Sequence, residues 1–126
     1  MEKIVHVVGT GTSGEPLIGL LEDHRKALGI DEVTFHKRTP NAEERAKIQD
    51  LVRRGARLAV DDEQRGAFAE LGLQASLSAE EALARAAVVI DSSPAGNKNK
   101  ELHYAALRGP LGFLAQGSEY GFGKMY

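Results

Sequence analysis

The sequence contains no cysteine, and this absence excludes several kinds of chemistry within its 126 residues. Without a thiol the chain can form no disulfide, no thiolate metal site and no cysteine nucleophile. No apolar run approaches the length of a membrane span. The histidines lie far apart, with no spacing typical of metal ligands; they are His6, His24, His36 and His103. We therefore expect no disulfide, no metal centre and no membrane segment.

The chain also has little net charge. Sixteen basic and 18 acidic residues give a net charge of -2, so the sequence lacks the basic field that nucleic-acid binding usually needs. Hydrophobic residues make up 42% and charged residues 27%, a balance typical of a soluble protein. The length suits one domain spanning residues 1–126. The first residues lack the pattern of a signal peptide, which predicts a cytoplasmic protein.

Short apolar segments alternate with segments of helical periodicity. Predicted strands lie at 4–8, 33–36, 58–60, 88–90 and 112–115, and predicted helices at 16–28, 42–54, 63–71, 79–85 and 97–108. Asn41 with Glu44, and Ser78 with Glu81, match the capping-box pattern at two helix starts. The alternation predicts an α/β fold: a Rossmann-type open parallel sheet of about five strands with helices on both faces.

A glycine-rich segment follows the first predicted strand. Residues 9–14, Gly-Thr-Gly-Thr-Ser-Gly, match the dinucleotide-binding pattern G-x-G-x-x-G and open the first predicted helix. In that pattern Gly9 permits a tight turn, Gly11 lets the backbone approach a pyrophosphate, and Gly14 allows close packing of helix on strand. The intervening hydroxyl groups can add hydrogen bonds; they belong to Thr10, Thr12 and Ser13. A glycine turn that binds no ligand is the alternative.

Two other features bear on the type of nucleotide. A P-loop would need Lys and Ser or Thr where this chain has Glu15 and Pro16, so ATP-type binding is not expected. At the carboxyl end of the second predicted strand stand Lys37 and Arg38, which could face the 2'-phosphate of NADP. We predict NADP as the preferred cofactor and NAD as the second, with a solvated basic turn as the alternative.

The chain resembles the N-terminal cofactor domain of the archaeal-type (type II) glyceraldehyde-3-phosphate dehydrogenases. The segments that carry the likeness are the strand with the loop 9–14, the Lys-Arg-Thr-Pro turn at 37–40, the Val-Ile-Asp-Ser-Ser-Pro-Ala-Gly segment at 89–96 and the Phe-Leu-Ala-Gln-Gly segment at 113–117. Ser92 stands where the family has a cysteine. Glu15 stands where a basic residue often follows the loop.

The resemblance implies an oxidoreductase that transfers hydride from an aldehyde 3-phosphate to NADP or NAD. It also implies further cofactor contacts along the path to the nicotinamide, from Ser92, Ser93, Pro94, Gly96, Gln116 and Gly117. The family's cysteine nucleophile and catalytic domain would follow residue 126, so we expect these residues to bind a cofactor without turning over substrate alone. A homo-oligomer is a further implication. The alternatives are a cofactor domain of the homoserine dehydrogenase type and a stand-alone nucleotide-binding module.

Four other features suggest simpler roles. Ser92 and Ser93 lack the surroundings of a nucleophile, and Asp91 is expected to anchor a loop, with a general base as the lesser interpretation. His6 is expected to be buried with a hydrogen-bond partner. The basic residues at 53, 54 and 57 are interpreted as a solvated face, with an intersubunit or phosphate contact as the alternative.

Overall fold

The computed structural model describes residues 2–11, 13–93, 99, 103–104, 107, 109–110 and 112–115. Strands and helices alternate along this part of the chain. The strands are β1 (Ile4–Val8), β2 (Glu32–His36), β3 (Arg57–Val60), β4 (Leu77–Ser78), β5 (Val88–Asp91) and β6 (Gly112–Ala115). The helices are α1 (Gly14–Asp23), α2 (Arg45–Arg53), α3 (Arg65–Glu70) and α4 (Ala79–Arg85). Short 3-10 turns, Ala42–Glu44 and Asp62–Gln64, precede α2 and α3.

The strands form one parallel sheet with the spatial order β4-β3-β2-β1-β5-β6. The chain winds outward from β1 to β4 and then returns to β5, on the other side of β1. This doubly wound order is that of a Rossmann-type fold, so the predicted fold class is confirmed. The sheet has six strands and not about five, because the two residues of β4 are too few to form an apolar pattern in the sequence.

Helices cover both faces because alternate strand residues point to opposite sides of a sheet. On one face the strand residues pack against α1, α2 and α3; the main buried side chains are Val7, Val33, Phe35, Leu58, Val60, Ile18, Ile48, Leu51 and Phe68. On the other face Ala59 packs with Ala82 of α4, and Val89 packs with Tyr104. With both faces covered, the strand ends are where this sheet can offer polar groups to a ligand.

The first helix differs from its predicted range of 16–28. It ends at Asp23, and residues 24–29 form hydrogen-bonded turns. Ile18 is fully buried in α1, whereas Leu20 and Leu28 are exposed. The leucine spacing in the sequence therefore predicted too long a helix, because the last leucine of the pattern lies in the turns.

Only one of the two predicted capping boxes is present. At α4, Glu81 N–H donates to Ser78 Oγ at 3.1 Å and Ser78 N–H donates to Glu81 Oε1 at 3.3 Å, as predicted. At the other site, Asn41 Oδ1 accepts from Glu43 N–H at 2.9 Å, not from Glu44. The Glu44 carboxylate turns toward the end of β2, where it meets a lysine. That ion pair replaces the predicted bond to the Asn41 backbone.

Several predictions fall on residues outside the described part of the chain. These are most of the predicted helix at 97–108 and five predicted cofactor contacts, namely Thr12, Pro94, Gly96, Gln116 and Gly117. Within the described part, no helix is both long enough and apolar enough to cross a membrane.

Candidate functional site

The carboxyl ends of β1, β2 and β5 meet at one edge of the sheet. Val8 lies in register with His36 on one side and with Asp91 on the other, so the three strands end together. The backbone then ties the following loops to one another: Gly9 N–H donates to His36 O at 3.3 Å, and Ser92 N–H donates to Val8 O at 2.8 Å. This edge lies where the winding reverses between β1 and β5, the usual position of the ligand crevice in such sheets.

The three glycines of the loop 9–14 have different surroundings. Gly9 has a φ of +102°, a conformation that side chains strongly disfavour. At Gly14 an added Cβ would lie 2.2 Å from Gly9 O, so only glycine lets α1 start this close to β1. At Gly11 an added Cβ would have no heavy atom within 4 Å, and its φ is not in the left-handed region. The fold therefore requires glycine at 9 and 14 but not at 11.

The start of α1 offers backbone N–H groups. The Glu15 N–H donates to Gly11 O at 3.1 Å, and Pro16 has no N–H. The amides of Ser13 and Gly14 donate to none of the other described residues, and the Ser13 hydroxyl makes no capping bond. These amides lie at the positive end of the helix dipole, where an anion is stabilised.

The loop after β5 is anchored from within the protein. Asp91 is fully buried. It accepts hydrogen bonds from Ser93 N–H at 2.8 Å, Asn99 Nδ2 at 2.8 Å and the Tyr104 hydroxyl at 2.6 Å. The Ser92 hydroxyl donates to Val8 O at 2.9 Å. Asp91 therefore anchors this loop, as predicted, and Ser92 uses its proton to hold the end of β1.

The two predicted 2'-phosphate contacts differ in what surrounds them. Lys37 Nζ lies 2.5 Å from Glu44 Oε2, and its side chain is only 15% exposed. Arg38 is exposed and forms no ion pair with any of the described residues. Beside them, His36 Nε2 lies 3.1 Å from Asp61 Oδ1, and burial lowers the pKa of His36 despite that carboxylate. Among the described residues, Arg38 therefore carries the free positive charge at this strand end at neutral pH.

Lys47 is a residue of the site that the sequence did not reveal. Its Nζ donates to Thr10 O at 2.8 Å, and it lies 3.9 Å from both Glu15 and Glu44. The cation thus contacts the glycine-rich loop and partly neutralises the carboxylate of Glu15, whose negative charge would otherwise disfavour a phosphate ligand here. No local pattern indicates this contact, because Lys47 and Thr10 are 37 positions apart in the sequence.

Comparison of the sequence with family models and with curated proteins identifies no family. No family model matches the chain, and no curated protein matches it. The candidate site is therefore defined by its geometry.

Two other predictions concern residues near the sheet. His6 is buried and its Nδ1 lies 2.6 Å from Thr34 Oγ1, so the predicted buried and hydrogen-bonded state is confirmed. The predicted solvated basic face is confirmed for Arg53 and Arg54, which are exposed, whereas Arg57 is partly buried. Arg54 Nη2 lies 2.8 Å from Asp23 Oδ2, and Arg57 pairs with Glu32. No group of three or more His, Asp or Glu side chains within the described residues could hold a metal ion.

Proposed function

We propose that this chain binds NADP(H), and NAD(H) less tightly, as the cofactor domain of a glyceraldehyde-3-phosphate dehydrogenase-like oxidoreductase. The observation that carries the proposal is the open space at Gly11, where an added Cβ would meet nothing within 4 Å. Gly66 in α3 also has room for a Cβ, so what distinguishes Gly11 is its position beside the amides of Ser13 and Gly14 at the start of α1, where a ligand can approach its backbone. A pyrophosphate at the start of α1 makes that approach in Rossmann-type sites.

The charges near the loop support a phosphate ligand. The Ser13 and Gly14 amides would donate to the pyrophosphate, and the dipole of α1 would favour its negative charge. Lys47, at 2.8 Å from Thr10 O, adds a cation beside the same loop. Because Glu15 lies 3.9 Å from Lys47, its carboxylate is partly neutralised. Together, the amides, the helix dipole and Lys47 favour an anion beside this loop, and Glu15 weakens that preference.

Arg38 supports the preference for NADP(H). Its guanidinium is exposed at the end of β2, beside which the adenine ribose would lie. A planar guanidinium can donate two parallel hydrogen bonds to a phosphate. Lys37 is the weaker candidate, since it is already paired with Glu44.

The oxidoreductase part of the proposal rests on the resemblance of four short segments. When bound, a nicotinamide cofactor accepts or donates hydride at its ring. The residues of this chain would bind and orient that cofactor through the loop 9–14 and the loop after β5. These 126 residues contain no cysteine that could serve as the nucleophile, so we expect no aldehyde oxidation from them alone.

The substitution Gly11→Ala tests the proposed pyrophosphate contact. We expect NADPH and NADH affinities to fall together by about tenfold or more, because the added methyl group would keep the ligand's phosphates from the backbone. The free energy of unfolding should change by less than about 1 kcal/mol, since the methyl group meets no protein atom. Isothermal titration calorimetry and urea unfolding measure the two effects.

Gly66→Ala is the matched control, because an added Cβ at Gly66 also meets nothing within 4 Å and this glycine lies in α3, outside the site. It should leave both affinities within about twofold. AMP, which lacks the pyrophosphate, should lose less affinity than the dinucleotides in Gly11→Ala. Undiminished NADPH binding by Gly11→Ala, or no dinucleotide binding by the unaltered chain, would refute the proposal.

A further inference from the structure

One carboxylate lies between the two lysines of the candidate site. Glu44 Oε2 is 2.5 Å from Lys37 Nζ and 3.9 Å from Lys47 Nζ. Lys37 follows β2, where the 2'-phosphate of NADP(H) would lie, whereas Lys47 contacts the glycine-rich loop at Thr10 O. Glu44 is therefore the group that joins the two predicted phosphate-binding parts of the site.

Local structure fixes this carboxylate in place. Asn41 caps the 3-10 turn Ala42–Glu44, and that turn carries Glu44 to the start of α2, facing the end of β2. The adjacent ammonium of Lys37, with the charge of Lys47, holds the pKa of Glu44 below its ordinary value, although burial opposes this. Glu44 therefore stays ionised at neutral pH and forms an ion pair with Lys37.

We propose that Glu44 determines cofactor specificity by holding Lys37 and so opposing the 2'-phosphate of NADP(H). This inference rests on the proposed dinucleotide site. A 2'-phosphate near Lys37 has to share that ammonium with a carboxylate 2.5 Å away. The 2'-phosphate would also approach the negatively charged carboxylate of Glu44, and this repulsion costs binding free energy. NADH brings only a 2'-hydroxyl group and meets neither cost.

The adjacent residues Lys37 and Arg38 therefore have different roles toward the 2'-phosphate. Arg38, exposed and without an ion pair among the described residues, is left to bind the 2'-phosphate. Lys37 becomes available only when Glu44 is neutralised. The preference for NADP(H) is therefore weaker than the Lys-Arg pair in the sequence implies, and Glu44 sets how much weaker.

The test is the NADPH and NADH affinity of Glu44→Gln, measured by isothermal titration calorimetry on the 126-residue chain. Glutamine keeps the shape of the side chain and removes its charge. We expect NADPH to bind about three- to tenfold more tightly and NADH to stay within about twofold. Glu44→Ala should act in the same direction, and thermal unfolding checks that each variant is folded.

Glu43→Gln is the matched control, because the adjacent Glu43 carries the same charge but its role in the turn is a backbone bond to Asn41. It should leave the ratio of the two affinities within about twofold. In Lys37→Ala/Glu44→Gln the gain in NADPH affinity should disappear, because the released lysine is its source.

Three results would overturn the inference alone: an unchanged ratio in Glu44→Gln, a ratio that changes only because NADH binds less tightly, or a gain that survives removal of Lys37. Each of these is seen with dinucleotide binding intact. If the unaltered chain binds neither NADPH nor NADH, the proposed function fails and this inference fails with it. The two kinds of failure are therefore distinguishable.

Discussion

Arg38 and Lys37 are adjacent in the sequence, but their side chains have different surroundings. Arg38 is exposed and unpaired within the described structure, whereas Lys37 is mostly buried against Glu44. The sequence places two cations at the end of β2 and cannot distinguish them, because Glu44 lies seven residues further on in a separate element. The distinction changes which residue should be substituted to test cofactor preference.

We predict that Arg38→Ala lowers NADPH affinity by about ten- to a hundredfold, the loss expected for hydrogen bonds to a charged group. NADH affinity should stay within about threefold, since NADH has no 2'-phosphate. Competition binding with NADPH and NADH measures both. The NADPH affinity of Arg38→Lys should lie between those of the unaltered chain and Arg38→Ala, because lysine keeps the charge but not the planar pair of donors.

Arg53→Ala is the control for the loss of one positive charge, since Arg53 is also exposed and lies at the far end of α2 from Glu44. An equal loss of NADPH affinity in Arg53→Ala and Arg38→Ala would assign the effect to general electrostatics and reject Arg38 as the phosphate contact.

His6 makes stability depend on pH. It is fully buried beside Thr34, and burial lowers its pKa to about 3, helped by His36 and opposed by Asp91. In the unfolded chain a histidine has a pKa of about 6.5, so below that pH the unfolded state binds a proton that the folded state does not. The part of the stability that depends on neutral His6 is thus fully present above pH 6.5 and is lost progressively as the pH falls toward 3.

We expect the free energy of unfolding to fall between pH 6.5 and 5 by up to about 1.4 kcal/mol per pH unit from this residue. His36 contributes in the same direction, because burial lowers its pKa too. Urea unfolding of His6→Asn should show a shallower slope. The exposed residue His24 provides the control His24→Asn, and a slope that both variants leave unchanged would contradict the assignment to His6.

At the scale of elements, sequence patterns predicted correctly those features, such as a capping box, that depend only on neighbouring residues. The capping box at Ser78 and Glu81 forms because both members lie within one turn and no other group competes for Glu81 Oε1 strongly enough to remove it. The same pattern at Asn41 and Glu44 fails because Lys37, which arrives from β2, takes the carboxylate. A local rule is overridden where a residue distant in sequence offers a stronger bond.

The candidate site divides in the same way. The loop 9–14 could be predicted because strand, glycines and helix are contiguous, and the predicted role of Gly14 in close packing agrees with the contact of 2.2 Å that a Cβ would make there. Lys47 could not be predicted, since it reaches Thr10 only through the fold. Contacts across elements depend on the register of β1, β2 and β5 and on the packing of α2.

At the scale of the whole molecule, Asp91 connects the site to the outer strand of the sheet. Its Oδ2 accepts from Tyr104, whose ring stacks on Phe113 of β6 with 5.4 Å between centroids and 21° between planes. Its Oδ1 accepts from Ser93 in the loop after β5. Burial raises the pKa of Tyr104, so its hydroxyl stays protonated and remains a donor. One carboxylate thus holds both the loop of the candidate site and the packing of β6.

We predict that Tyr104→Phe lowers the free energy of unfolding by about 1.5–3 kcal/mol, because it removes one donor to a buried carboxylate while keeping the ring. Tyr104→Leu should cost about 2 kcal/mol more, through the lost stacking and volume. Urea unfolding gives both values.

Hydrogen exchange then tests whether the sheet unfolds as a unit: Phe113 in β6 and Val7 in β1 should lose protection equally in Tyr104→Phe. Loss of protection in β6 alone would show that the outer strand opens locally, and that Asp91 does not couple it to the strands that form the site.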